Sequence, residues 1–261
     1  TGNVNAGSGG LGIGLDVTRG QNDFNGTIDE VAVWNVSLSS EIIAKHSGYG
    51  IDRSIYGNNA SLMNGSVVNQ SGKFQEAMQF DGNNRYLQVP HSAAFNSQNM
   101  TGELWVKLYD LNGSGSGHMF LQHQSGGAHG GFEFSYQPAG GPVPQRSVLS
   151  WVADASNGAF IPWNPDTNNW HHLAFIRNSI TNITDIFVDG VNIGSGNTST
   201  QTASVTGVLN IGKWSGGGYD LNGTIDEVAI WNTSLSSDKI AEHAGAKVLD
   251  YSQYKNNGTR N

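Results

Sequence analysis

The sequence predicts an all-β chain: a two-sheet antiparallel sandwich, with one short C-terminal helix per domain. Three observations lead there. Ten short runs rich in β-branched and aromatic residues (77–80, 85–89, 102–108, 119–122, 131–136, 147–152, 171–177, 183–188, 208–211 and 223–231) are separated by Gly, Asn and Pro, the punctuation of antiparallel β structure. Asp81-Gly82 and Asp189-Gly190 are hairpin signals, the second sitting between IFV at 186–188 and VNI at 191–193. Seven tryptophans and 10% aromatics supply more core material than a disordered chain carries, despite the abundance of Gly, Asn, Ser and Thr.

Taken in order, the chain repeats itself over a long period. FNGTIDEVAVWNVSLSSEIIAKH at 24–46 returns as LNGTIDEVAIWNTSLSSDKIAEH at 221–243, 197 residues later. LGIG at 11–14 returns as LNIG at 209–212, and DRSIYGNNAS at 52–61 returns as DYSQYKNNGT at 250–259, each after 198 residues. A period of that size matches a whole domain and is too long for a solenoid repeat. The layout expected is therefore the C-terminal part of a preceding domain at 1–49, a complete domain at 50–246 and the N-terminal strand of the next at 247–261. Each repeated segment reads as a strand followed by a short helix. In the first copy Ser37 to Ser40 offer an N-cap, Glu41 sits near the positive end of the helix dipole, and Leu38, Ile42 and Ile43 form an apolar face. In the second copy Ser236, Asp238, Leu235 and Ile240 take these places. SGYG at 47–50 marks the boundary.

An ordered set of motifs then narrows the fold. DRS and GNN at 52–59, FDG at 80–82 followed by YLQVP at 86–90, ELWVK at 103–107, WHHLA at 170–174, FVDG at 187–190, LNIG at 209–212 and NGTIDEVAIW at 222–231 resemble, in this order, the laminin G-like jelly-roll domain of the concanavalin A-like lectin/glucanase superfamily. The resemblance covers most of 50–243. It implies a jelly roll, a tandem array of such domains, an extracellular setting and one structural calcium per domain. Asp52, Asn58, Asp81, Asn83 and Asp226 are the candidate ligands, because strand ends and turns rich in Asp and Asn can gather the six to eight oxygens that calcium takes. Turn capping by the same side chains is the alternative reading.

Bulk composition removes several function classes. A net charge of -8 with no Lys/Arg run leaves no footprint for nucleic acid or for an anionic membrane. No apolar run approaches the ~20 residues that span a bilayer. TGNVNAGSGG at 1–10 has no signal-peptide pattern, so an export signal is expected elsewhere in the parent chain. The absence of cysteine excludes disulfides and thiolate chemistry. Asn-x-Ser/Thr triplets begin at Asn25, Asn35, Asn59, Asn64, Asn69, Asn99, Asn112, Asn182, Asn197, Asn222, Asn232 and Asn257. These are 12 of 28 asparagines. Chance would supply about four or five in a chain with 41 Ser and Thr, so N-linked glycans on an archaeal or eukaryotic-type exported protein are expected. Polar turns in an unglycosylated bacterial protein are the alternative.

Catalysis finds little support. Paired carboxylates flanking one glycosidic bond would need Asp226 with Glu227, or their copies Asp29 with Glu30, yet neighbouring strand residues point to opposite faces. His118, His123, His129, His171 and His172 lack acidic or Cys partners at ligand spacing, and His171 or His172 is read as a half-buried neighbour of Trp170. Sugar binding is better served, since Phe160, Trp163, Trp214 and Tyr219 lie in Gly/Pro/Asn-rich segments that could form a binding rim. For Trp163, between Pro162 and Pro165, stapling of its own loop is the alternative.

The function expected from the sequence is a non-catalytic repeat module of an exported, N-glycosylated cell-surface protein. It would build a fibre, sheath or adhesin with neighbouring copies of the same protein, by strand or domain sharing. The rival reading is a carbohydrate-binding lectin module, with cell-surface glycans as partners, in a larger surface protein or secreted enzyme.

Overall fold

The β-rich runs assemble into two seven-stranded antiparallel sheets in the computed structural model. The structure describes residues 57–69, 71–74, 76–113, 115, 117–123, 131–139, 148–154, 157–198, 205–245, 247–248 and 258–259. The chain divides into two units, Thr1–Ser47 and Gly48–Asn261, and every described residue lies in the second. The expected partial domain at 1–49, the candidate ligand Asp52 and the sequons at Asn25, Asn35 and Asn257 lie outside the described residues.

In chain order the strands are β1 (Ser61–Met63), β2 (Val67–Asn69), β3 (Ala77–Asp81), β4 (Tyr86–Val89), β5 (Met100–Leu108), β6 (His118–His123), β7 (Phe132–Gln137) and β8 (Val148–Asp154). There follow β9 (Asn157–Pro162), β10 (Trp170–Asn178), β11 (Ile183–Val188), β12 (Val191–Asn197), β13 (Leu209–Ile211), β14 (Asn222–Trp231), β15 (Lys247–Val248) and β16 (Gly258–Thr259). Sheet A has the order β1-β4-β13-β6-β7-β8-β9, sheet B the order β12-β11-β10-β5-β14-β3-β2, and β15 pairs with β16 alone. All ten expected strands are present within one or two residues of their predicted ends. The predicted helix is α1 (Ser237–His243), capped by Ser236, whose Oγ accepts the Lys239 N–H at 3.3 Å, with Asp238 in the first turn.

Period-two alternation sorts the side chains. Phe80, Leu104, Val106, Phe120, Phe132, Phe134, Phe175, Leu173, Ile186, Leu209 and Ile211 fill the space between the sheets. Gly102 in β5 makes room for one of them, since a Cβ there would lie 2.5 Å from the Phe175 ring. At one side the sheets close on each other. There Gly194 and Gly196 of β12 approach Ile161 and Ala159 of β9, and a Cβ on Gly196 would meet the Ala159 Cα at 2.4 Å. A second, smaller core sits outside sheet B, where Ile240 and Leu235 pack on Ala174, Ile176 and Phe187. The repeated signature thus supplies the central strand β14 and the helix that covers the outer face beside it.

Two details depart from a regular strand. Glu227 has φ +49 and the β14/β5 register shifts between Asp226 and Ala229, a bulge. Phe160, expected in a loop, lies in β9, because NGAFIP gains its extended form from pairing with β8 rather than from its own weak β preference.

Candidate functional site

The outer face of sheet A carries a row of polar side chains that local sequence does not connect. In β4, Leu87 and Val89 face the core, which turns Gln88 outward; in β13, Leu209 and Ile211 do the same for Asn210; in β7, Phe132 and Phe134 do so for Glu133. Strand register then aligns Gln88 with Asn210, Asn210 with Gln122 of β6, and Gln122 with Glu133. The side chains are chained together. Gln88 Nε2 donates to Asn210 Oδ1 at 3.3 Å, Asn210 Nδ2 to Gln122 Oε1 at 3.5 Å, and Gln122 Nε2 to Glu133 Oε1 at 3.3 Å. Each amide donates toward the carboxylate, so the row is polarised along its length.

The segment between β13 and β14 folds over this row. Gly212, at φ +87, turns the chain where a Cβ would collide with the Phe80 ring at 2.4 Å. Lys213 then donates to Asn84 and places its ammonium 5.1 Å above the Tyr86 ring. Trp214 Nε1 donates to Glu133 Oε1 at 2.9 Å, and the Ser215 N–H donates to Gln122 Oε1 at 2.8 Å. Tyr219 meets Trp214 edge to face at 5.7 Å. Its phenol pKa is raised, first by burial and then by the nearby Glu133 carboxylate. The loop is held at three points, and two half-buried rings stand over an amide–carboxylate row. Phe160, 39% exposed, lies on the same face, paired through Ser150 to Ser135 in the row beside Glu133. From β4 to β9 there are five strand steps, on the order of 24 Å.

Of the four aromatics proposed from the sequence, Trp214 and Tyr219 come together and Phe160 shares their face. Trp163 is elsewhere: its ring packs on the core, edge to face with Tyr136 at 5.6 Å and with His171 at 5.6 Å. Tyr86, Gln88, Gln122, Glu133 and Asn210 were not singled out. Gln88, Glu133 and Asn210 each stand between two apolar residues, as on any solvated sheet face, and only register reveals that they form a line with Gln122.

Two of the candidate calcium ligands, Asp226 and Asp81, make structural contacts. Asp226 Oδ2 accepts the Phe74 N–H and Oδ1 the Glu227 N–H, both at 2.9 Å, which fixes the bulge. Asp81 pairs with Arg85 at 3.1 Å and accepts the Asn83 N–H at 3.0 Å. Asp81 opposes Asn222 in register, four residues along β14 from Asp226, or roughly 13 Å. Among the described residues there is no group of three or more His, Cys, Asp or Glu that could hold a metal ion.

Among the histidines, His118 Nε2 donates to the Asp110 carbonyl at 3.0 Å while its Nδ1 accepts the Asn222 N–H at 3.3 Å, a pattern that requires the neutral ring. Burial pushes its pKa down to about 4. Burial, then neighbouring His91, pushes His123 down to about 4 as well. His171 is clamped between Asp189 at 2.9 Å and Asp166 at 2.6 Å, and its pKa is raised, first by the Asp189 hydrogen bond. His172 lies buried beside Trp105 and Glu103.

Comparison with known proteins adds the lineage. The model of the laminin G-like family, described as the concanavalin A-like lectin/glucanases superfamily, matches residues 81–241. The chain belongs to this family. No curated protein matches the chain. Among solved structures, the laminin G-like domain superposes on domain 4 of AbnA, a GH43 extracellular arabinanase from Geobacillus stearothermophilus determined in complex with arabinotriose. That match has a TM-score of 0.56 and 19% identity, and covers 71% of this chain and 88% of that one. It also superposes on the botulinum neurotoxin serotype D binding domain, with a TM-score of 0.58 and 14% identity over 74% of this chain and 48% of that one. The binding domain of Paraclostridial Mosquitocidal Protein 1 gives a TM-score of 0.57 and 13% identity over 75% and 49%. The chain thus spans about half of the two toxin structures. At these identities the likeness is one of fold.

Proposed function

We propose that this laminin G-like unit is a non-catalytic carbohydrate-binding module, and that it binds sugar on the outer face of sheet A. The observation that carries the proposal is the hydrogen-bonded row Gln88–Asn210–Gln122–Glu133 beneath the Trp214/Tyr219 loop. Sugars present hydroxyls in a plane and apolar C–H faces above and below it; amides and a carboxylate match the first, and aromatic rings the second. The row is already ordered by its own hydrogen bonds, which lowers the entropy lost on binding. A single carboxylate there, with no second acid described beside it, favours recognition over glycosidic cleavage.

The same reading extends to an exported surface protein. Asn112, Asn197 and Asn232 are exposed sequon asparagines, available to N-linked glycans, and the duplicated signature supports a repeated module working beside its neighbours. The test is a glycan array probed with the 261-residue chain, followed by calorimetry on the best hits. Binding in the micromolar range that falls at least tenfold in Trp214→Ala supports the proposal. No binding by the folded chain, or binding indifferent to Trp214→Ala, overturns it.

A further inference from the structure

The sequence of part of this face recurs earlier in the chain, and the two stretches differ at residues that here stand over the polar row. In the repeat frame Leu209, Asn210, Ile211 and Gly212 correspond to Leu11, Gly12, Ile13 and Gly14, and 221–227 corresponds to 24–30. Between these anchors KWSGGGYD at 213–220 corresponds to LDVTRGQND at 15–23.

What the copies share are positions with a structural task. Leu209 and Ile211 lie in the core, and Gly212 has no room for a Cβ beside Phe80. Gly223 has none either, since a Cβ there would lie 2.4 Å from the Lys107 carbonyl oxygen, and Asp226 caps the bulge. All of these have identical counterparts at Leu11, Ile13, Gly14, Gly26 and Asp29. What the copies do not share are the groups that face outward over sheet A. Asn210, the second member of the polar row, corresponds to Gly12, which has no side chain to continue it. The counterpart of the loop is one residue longer and holds no aromatic; it ends on Asp23 as this loop ends on Asp220, and has Asp16 and Arg19 but no counterpart of Trp214 or Tyr219. The frame that carries the loop is kept, and the surface of the loop is exchanged.

Resting on the carbohydrate reading above, we infer that Asn210 and residues 213–220 determine the specificity of this face and that its ligand is a neutral glycan. Neutrality follows from Glu133. Its carboxylate ends the row and sits beneath Trp214, where an anionic sugar would meet like charge without a described cation beside it, because Lys213 is turned toward Asn84 and Tyr86 at the other end. A neutral ring can lie against Trp214 or Tyr219 while its hydroxyls exchange hydrogen bonds with half-buried Gln88 and Glu133, which buried Asn210 and Gln122 hold in line. The corresponding sequence at 15–23 contains no aromatic residue.

The experiment uses the full chain and a variant combining Asn210→Gly with exchange of 213–220 for the sequence of 15–23, both read on one array of neutral and anionic glycans and by thermal unfolding. The inference expects the parent to prefer neutral glycans, and the graft to lose at least tenfold affinity for them while its Tm stays within about 5 °C of the parent. A folded graft with the parent's ligands and affinities overturns the specificity assignment, and a parent that prefers anionic glycans overturns the ligand class. A parent that binds no sugar removes the carbohydrate reading itself and this inference with it. Should the graft fail to fold, Tyr219→Ala and Asn210→Gly decide: altered ranking of glycans by either supports the inference, and an unchanged ranking in both overturns it.

Discussion

Replacing Trp214 by Phe tests whether the loop is fastened to the polar row. The substitution keeps one aromatic ring beside Tyr219, at 5.7 Å in the parent, and removes the N–H that reaches Glu133 Oε1 at 2.9 Å together with part of the indole's apolar contact. A hydrogen bond to a charged group contributes about 1.5–3 kcal/mol when buried; both partners here are partly exposed, which brings the expected contribution to about 1 kcal/mol. For a unit of this size that is a Tm decrease of roughly 2–4 °C. The informative measurement is a double-mutant cycle with Glu133→Met, which deletes the acceptor while keeping the side chain's length. If the bond exists, the double variant loses about 1 kcal/mol less than the sum of the two single variants in urea unfolding. Additivity within about 0.3 kcal/mol would refute the tether, and with it the pre-ordered site.

Four further outcomes are expected. Phe175→Ala, emptying the space between Gly102 and Phe134, whose ring lies 5.2 Å away, costs about 3–5 kcal/mol by chemical denaturation, and a loss below about 1 kcal/mol would contradict the core assignment. Stability falls as pH drops from about 6.5 toward 4, because the unfolded chain takes up protons that buried His118 and His123, with pKa values near 4, do not; the expected loss is on the order of 3 kcal/mol for each, and a flat profile over that window would contradict it. His171 acts in the opposite sense. Its raised pKa gives a contribution that is full below about 6.5 and lost as pH rises through its folded value; since Asp166 and Asp189 are about half exposed, the amount is below about 1 kcal/mol, and Asp189→Asn should flatten that part of the curve. In glycopeptide mass spectrometry of the secreted chain, Asn112, Asn197 and Asn232 are expected to be occupied and Asn222 bare, because the Asn222 Nδ2 donates to the Asp110 carboxylate within the sandwich; glycan on Asn222 would contradict that geometry.

Much of the architecture could be read from residue types, and the reasons are local. Strands such as ELWVK and WHHLAFIR declare themselves by β-branched and aromatic content, and Ser236, Asp238 and Ile240 mark the helix by cap, charge and apolar face. The strands that escaped, β1, β2 and β9, are short or Gly-rich edge strands, stabilised by what they pair with rather than by their own composition. The functional face was legible only in part. Trp214 and Tyr219 stood out as aromatics in a Gly-rich loop. The row beneath them did not, because Gln88 and Asn210 are 122 positions apart and each looks like an ordinary outward residue until β13 is placed between β4 and β6. Trp163 shows the converse: its Pro- and Asn-rich surroundings read as an open loop, yet Tyr136 and His171 hold its ring. The acidic pair was separated by a bulge that alternation alone does not foresee, with Asp226 turned in to two backbone N–H groups and Glu227 left exposed at positive φ.

The central claim, that the outer face of sheet A recognises sugar, is tested most directly by titrating the best array hit into isotopically labelled chain and following backbone and side-chain amide resonances. The account predicts shifts concentrated at the side-chain amides of Gln88, Asn210 and Gln122 and at the Trp214 indole N–H, with little change at Trp163 or on sheet B. Shifts confined to sheet B, or to the Trp163 loop, would contradict it.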